Sequence, residues 1–280
     1  MASVASAGST PPRSTFLMCA PRFFDVQYVI NPWMEGNLHA PSASQAQEQW
    51  QRLHAAVREH AEVLLVEPQP GLPDMVFTAN AGLVCDGVAA LSRFRCVERS
   101  GEEAHFRQWF LKAGLEVREM PADAPFEGEG DALFTPDGAR LWAGYGWRTA
   151  EASHTCLREL WPGCEVVPLR LTDPRFYHLD TCFAPLANGE LLYYPAAFDA
   201  ASLERIEAFY SPEQRIAVGE DDALRFACNA VNVGERIVLN KISDALRSGL
   251  EGRGYRVTQV GLSEFLKAGG AAKCLCLRVR

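Results

Sequence analysis

Gln45-Ala46-Gln47-Glu48-Gln49-Trp50-Gln51-Arg52-Leu53-His54-Ala55-Ala56-Val57-Arg58-Glu59-His60, followed closely by Val63-Leu64-Leu65-Val66, is the stretch whose reading decides the fold. Trp50, Leu53 and Val57 recur at helical spacing and share one face. A short break then leads into an apolar, partly β-branched strand. The same plan returns along the chain. Glu102–Ala113 gathers Phe106, Trp109 and Phe110 and passes through Gly114 into Leu115-Glu116-Val117. Ala150–Trp161 gathers Cys156, Leu157 and Leu160 and passes through Gly163 into Val166-Val167. Leu203–Tyr210 leads to Ile216-Ala217-Val218. Ser243–Leu250 leads through Gly254 to Tyr255-Arg256-Val257.

These five helix-to-strand passages recur roughly every 40 to 55 residues, a periodicity of pattern rather than of sequence. Further strand candidates fall between them: Met75–Val84, Val88–Leu91, Ala132–Phe134, Leu191–Tyr194, and Val231 with Ile237–Leu239. Five units of strands plus one helix predict a closed or radial α/β arrangement around a centre. The plain alternative is an open doubly wound sheet. No linker interrupts Phe16–Arg280, so residues 15–280 are expected to form one domain. Residues 1–14, small, polar and proline-bearing, read as a disordered tail without the apolar run of a secretory signal.

The 280 residues carry 48% hydrophobic and 22% charged side chains, an ordinary globular balance, and a net charge of −8. That charge argues against nucleic acid or an anionic membrane as the main partner. No apolar stretch has the length of a membrane span. Nine scattered cysteines do not make a disulfide framework; reduced thiols in a cytoplasmic protein fit better, one of them a candidate nucleophile.

Four segments bear chemistry. In Lys267-Ala268-Gly269-Gly270-Ala271-Ala272-Lys273-Cys274-Leu275-Cys276, glycines allow close backbone approach and Lys273 stands beside Cys274, where it would help to hold a thiolate. Read as a strand, Cys274 and Cys276 would face opposite sides, which argues against a shared metal. Phe126-Glu127-Gly128-Glu129-Gly130-Asp131 packs three carboxylates around two glycines; calcium would need further ligands. In Phe176-Tyr177-His178-Leu179-Asp180-Thr181 an extended strand would put His178 and Asp180 on one face. Gly144-Tyr145-Gly146-Trp147-Arg148-Thr149 offers a guanidinium able to clamp a carboxylate. Each has a plain reading as well: a buried cysteine, a solvated turn, a core histidine, a surface arginine. Together they supply the means for covalent catalysis on an electrophilic carbon held by carboxylates, which favours a cationic, guanidinium-like substrate.

The ordered set Pro73-Asp74-x-Val76-Phe77-x-x-Asn80, Glu127-Gly128-x-Gly130-Asp131, Arg148-Thr149, His178-Leu179-Asp180-Thr181 and Gly269-Gly270-x-x-Lys273-Cys274 resembles the guanidino-group-modifying superfamily. Its members include arginine deiminase, dimethylarginine dimethylaminohydrolase and the amidinotransferases. The resemblance runs from Cys19 to the C-terminus and implies a five-bladed α/β propeller of ββαβ units. It implies Cys274 as nucleophile, His178 as general acid/base and Glu127 as the catalytic carboxylate, with Glu129 as the competing register. Asp74 and Asp180 would contact the substrate; Arg148 and, on a weaker match, Arg99 would bind its carboxylate. Deiminases and dimethylarginine hydrolases usually carry Asp where this chain has Asn80. Asn there, within Phe77-Thr78-Ala79-Asn80-Ala81-Gly82, together with Val29-Ile30-Asn31-Pro32-Trp33-Met34, is similar to the arginine dihydrolase branch. A neutral amide can donate a hydrogen bond to the ureido oxygen of citrulline and so permit a second hydrolysis.

The expected activity is therefore a cysteine-dependent hydrolase of guanidino C–N bonds, converting L-arginine to ornithine, ammonia and carbon dioxide without metal or organic cofactor. The alternatives are hydrolysis of methylarginine to citrulline and an alkylamine, amidino transfer, and a non-catalytic arginine-binding protein. The expected partner is a small guanidino molecule, arginine or methylarginine; assembly into a homo-oligomer stays open.

Overall fold

The computed structural model describes residues 14–280, so all but the last residue of the expected tail lies outside the described residues. Apolar helix faces found in the sequence turn inward: Trp50, Leu53 and Val57 are buried in the helix Ala43–Arg58, and Phe106 and Phe110 in Glu102–Lys112, with Trp109 half-buried beside them. Each of the buried side chains contributes roughly 1.5–3 kcal/mol on burial. Caps fix several helix starts: Ser42 accepts from the Gln45 amide, Asp199 from Ser202 and Ser243 from Leu246.

The helices serve as crossovers. A parallel strand pair needs a long connection, and here each helix supplies it. Gly82–Cys85 and Val88–Leu91 form a hairpin, and Glu102–Lys112 then returns the chain so that Glu116–Glu119 pairs parallel to Val88–Leu91. The next blade is Ala132–Phe134, Arg140–Tyr145, helix Ser153–Leu160 and Glu165–Arg170. The next is Phe183–Pro185, Leu191–Tyr193, helix Ala200–Phe209 and Arg215–Ala217. Val231–Val233, Arg236–Leu239, helix Asp244–Gly252 and Arg256–Gln259 follow. The last strand, Leu277–Arg278, pairs antiparallel with Thr15–Cys19, which pairs parallel with Glu62–Val66. The two ends of the chain thus complete one blade and close the ring. Five three-stranded sheets make the α/β propeller that the resemblance implies.

Three local expectations are corrected. Met75–Val84 is not one strand: Pro73–Val76 and Thr78–Ala81 are 3-10 turns and the strand begins at Gly82. His178 is extended, but Leu179–Thr181 is a 3-10 turn, so His178 and Asp180 do not alternate along a strand. Cys274 and Cys276 also precede their strand, which begins at Leu277, and Cys274 lies in a turn.

Candidate active site

Each blade enters its first strand through a tight turn, and the chemistry-bearing residues collect in these turns. Glu127 and His178 stand five residues ahead of the strands beginning at Ala132 and Phe183. Asp180 and Cys274 stand three residues ahead of theirs. Asn80 and Asn229 stand two ahead of Gly82 and Val231. The ring thereby brings residues from distant parts of the sequence to one centre. Glycine makes the close approach feasible: a Cβ on Gly128 would lie 2.6 Å from the Gly82 carbonyl oxygen, and one on Gly130 would lie 2.3 Å from Asn80 Nδ2.

His178 and Glu127 are in direct contact. His178 Nε2 lies 2.8 Å from Glu127 Oε2, and Arg148 Nη1 donates to the same oxygen at 3.2 Å. All three are buried. Burial pushes the Glu127 carboxyl up, but Arg148 first and then His178 outweigh it and hold the group well below the ordinary range. Asp131 stands beside the same imidazole: its Oδ1 accepts the Leu179 amide at 3.0 Å, and Oδ2 stands 3.9 Å from His178 Nε2. Burial lifts its pKa to about 6.

Cys274 is held by two residues. Its thiol donates to Asp180 Oδ2 at 3.2 Å; Asn229 Nδ2 donates to Sγ at 3.1 Å, and Asn229 Oδ1 accepts the Cys274 amide at 3.1 Å. Asn229 Nδ2 also reaches the Asp180 carbonyl at 3.0 Å. Burial pushes the thiol far above its ordinary pKa, and the Asp180 carboxylate adds to that. Burial also lifts Asp180 to about 7, despite the field of Lys273. Asn229 is the residue that sequence reasoning missed. Its signal was positional: Cys228-Asn229-Ala230 occupies, in its blade, the place Asn80 occupies in another.

Asp74 and Asn80 face the same centre. Asp74 Oδ2 accepts from the Tyr28 hydroxyl at 2.9 Å, and its buried Oδ1 has no partner. Asn80 Oδ1 accepts from Arg99 Nη1 at 2.8 Å, while its buried Nδ2 has no partner. Arg99 itself is engaged by both oxygens of Glu102, at 2.8 and 2.9 Å, and by the Asp74 carbonyl. In this structure Arg99 therefore fixes the orientation of Asn80.

Asp74, Asn80, Arg99, Arg148, Tyr177 and Cys274 line a common cavity of only about 10 Å³, room for about one water. The segment around Tyr28–Met34 closes it. Asn31 Nδ2 donates to the Ala268 carbonyl at 3.1 Å, Trp33 Nε1 to Arg175 at 2.7 Å, and Arg148 Nη2 to the Ile30 carbonyl at 2.9 Å. As it stands, the cavity is too small for a ligand of amino-acid size.

Glu129 and Lys273 belong elsewhere. Lys273 Nζ donates to Glu129 Oε2 at 2.7 Å and to the Cys276 carbonyl at 3.1 Å. The expectation that Lys273 holds a Cys274 thiolate directly is thus corrected: its ammonium has a carboxylate partner of its own. Among the described residues, no three His, Cys, Asp or Glu side chains converge on a metal position. All nine cysteines are free. No described helix is long and apolar enough to cross a membrane.

A family model described as N,N dimethylarginine dimethylhydrolase, eukaryotic, matches residues 34–280. The chain belongs to this family, within the guanidino-group-modifying superfamily. It is 58% identical over 267 residues to the bifunctional arginine dihydrolase/ornithine cyclodeaminase AgrE of a Nostoc species, covering 95% of this chain and 38% of that protein. The family member thus spans well under half the length of that relative. An N(G),N(G)-dimethylarginine dimethylaminohydrolase of Mycobacterium tuberculosis is 41% identical, over 98% of this chain and 88% of that protein. Among solved structures, the N-terminal domain of ArgZ, described as an arginine dihydrolase from the ornithine-ammonia cycle in cyanobacteria, superimposes with a TM-score of 0.94. It is 56% identical, covers 95% of this chain and 98% of its own, and is a cysteine-to-serine variant bound to substrate.

Proposed function

We propose that residues 15–280 form one catalytic unit that hydrolyses the guanidino group of free L-arginine, giving ornithine, two ammonia and carbon dioxide with consumption of two waters. The observation that carries the choice of arginine is Asn80. Its Nδ2 is buried and unpartnered, and Asn80 lines the same cavity as Cys274. A carboxylate there could only accept; the amide offers a donor to a neutral ureido oxygen. The named activities of the relatives AgrE and ArgZ support the same choice.

In this reading the substrate guanidinium settles between Asp74 and Asp180, and Arg148, released from Ile30, takes the α-carboxylate. Arg99 contributes mainly by holding Asn80. The cation lowers the cost of ionising Cys274; the thiol proton passes to His178, and the thiolate attacks the guanidinium carbon. His178, oriented by Glu127, gives a proton to the departing ammonia. It then takes one from the water that resolves the thiouronium. Citrulline remains with its ureido oxygen on Asn80 Nδ2. A second attack by Cys274 expels ornithine, and water releases the carbamoyl group as ammonia and carbon dioxide. The reaction needs reduced Cys274, in keeping with a cytoplasmic setting.

The family model and the mycobacterial relative favour one second reading, hydrolysis of dimethylarginine to citrulline and dimethylamine. Purified protein is to be given L-arginine and, separately, asymmetric dimethylarginine. Ornithine with two ammonia per arginine is the expected result. Citrulline with dimethylamine would overturn the substrate and keep the site. Cys274→Ser should abolish turnover by roughly 10⁴-fold while retaining arginine binding; unchanged turnover would remove Cys274 from the mechanism.

A further inference from the structure

A cavity of about 720 Å³ lies at the opposite ends of the same inner strands. The strands leave the catalytic turns at Gly82, Ala132, Phe183 and Val231 and run toward the hairpin ends that line it, including Asp86, Pro136, Pro185 and Gly234. Lys273 borders this cavity and its neighbour Cys274 the catalytic one, so the two spaces stand back to back.

The wall is largely apolar, with Phe134, Pro136 and Pro185 accessible along it, and the floor is charged. There Glu129 is already neutralised by Lys273 Nζ at 2.7 Å. Arg278 is not matched in the same way. Its Nη1 donates to Ser14 Oγ at 3.0 Å and its Nη2 to the Asn232 carbonyl at 2.8 Å, both neutral oxygens. The guanidinium carbon stands 5.0 Å from the centre of the Phe16 ring. Among the described residues no carboxylate lies within 4 Å of this guanidinium, and residues 1–13 contain neither Asp nor Glu. Both terminal nitrogens keep a second N–H. A guanidinium drawn off the surface and paired only with neutral groups favours an anion beside it. The charged side chains that line the cavity are Asp86 and Glu129 against Lys273, Arg278 and Arg280.

We propose that this cavity is a second ligand site, which takes a small organic carboxylate: Arg278 binds the carboxylate and the apolar wall receives the body of the molecule. The volume lies within the range of small-molecule sites, roughly 300–1,000 Å³. A cationic amino-acid side chain is disfavoured there, which separates this site from the catalytic one. The assignment does not depend on which guanidino compound is hydrolysed.

The test uses the intact chain at fixed ionic strength. Calorimetric titration with 4-iodobenzoate should show one site, 4-iodobenzamide should not bind, and Arg278→Met should weaken the benzoate by at least about tenfold. Anomalous scattering from iodine in wild-type crystals should place the ring against Phe134 and Pro136. L-arginine should still bind to Cys274→Ser at saturating benzoate. Absence of benzoate binding, equal binding of the benzamide, an unchanged Arg278→Met affinity, or an iodine peak in the catalytic cavity would each overturn the proposal. Inorganic phosphate binding in preference to benzoate would overturn the carboxylate class. Should Arg278→Met fail to fold, the amide comparison and the iodine position in the wild-type chain decide.

Discussion

His178 Nε2 and Glu127 Oε2 are 2.8 Å apart in a buried setting, which makes Glu127 rather than Glu129 the carboxylate able to orient the imidazole. Glu129 is bound to Lys273 and to the Arg278 amide instead. Glu127→Gln should lower kcat for ornithine release by roughly 10²–10⁴-fold, the usual worth of acid–base catalysis. Glu129→Gln should stay within about tenfold of wild type. Comparable losses in both would sink the assignment.

The same contact sets a pH dependence of stability. Burial raises the folded Glu127 carboxyl, but Arg148 first and then His178 outweigh it and depress the group below its ordinary value of 4.5. Its stabilising contribution is therefore full above about pH 4.5 and is lost as pH falls from there toward the folded value. Thermal melts of wild type and Glu127→Gln should differ most near neutrality and converge as the pH is lowered below that point. A gap that widens on acidification would contradict the depressed carboxyl.

Five α/β units were legible because their evidence is periodic: five helix faces, each followed by a strand, survive any uncertainty about boundaries, and the resemblance to the superfamily decided for a closed propeller over an open sheet. Cys274, His178 and Glu127 stood out as candidates because glycines and the order of the motifs in the resemblance marked them. The inner turns were not. Asp180 and Cys274 reach the centre through 3-10 and turn geometry, and no alternation of side chains reveals that. Asn229 has no glycine, acid or histidine beside it; only the blade repeat, once seen in three dimensions, gives its position a meaning. Arg99 read as a substrate ligand because nothing in Arg99-Ser100-Gly101-Glu102 says that the turn folds Glu102 back onto the guanidinium, 2.8 Å away.

Asn80 tests the two-step chemistry. Asn80→Asp keeps the Oδ1 acceptor for Arg99 and replaces the unpartnered Nδ2 donor with an anionic oxygen. The guanidinium step should persist, whereas the neutral ureido group loses its donor. Citrulline should then accumulate from arginine and ornithine fall by at least about tenfold, the worth of one hydrogen bond in a buried site. Undiminished ornithine formation would show that the amide is not what admits the second hydrolysis.

Cys274 offers the last test, because its two neighbours act in opposite directions. Burial and then Asp180 raise the thiol pKa, and the Asn229 amide, which donates to Sγ at 3.1 Å, lowers it. Asp180→Asn should thus move the thiol pKa down, and Asn229→Ala should move it up. The rate of Cys274 alkylation by iodoacetamide against pH, followed by mass of the Cys274 peptide, reads both shifts directly. Asn229→Ala should also reduce kcat by roughly 10- to 100-fold near neutrality, with part of the loss recovered at higher pH as the thiol ionises. A pH-independent loss would reduce Asn229 to packing. Shifts of the same sign in the two variants would mean that the hydrogen bonds at Sγ do not control its ionisation.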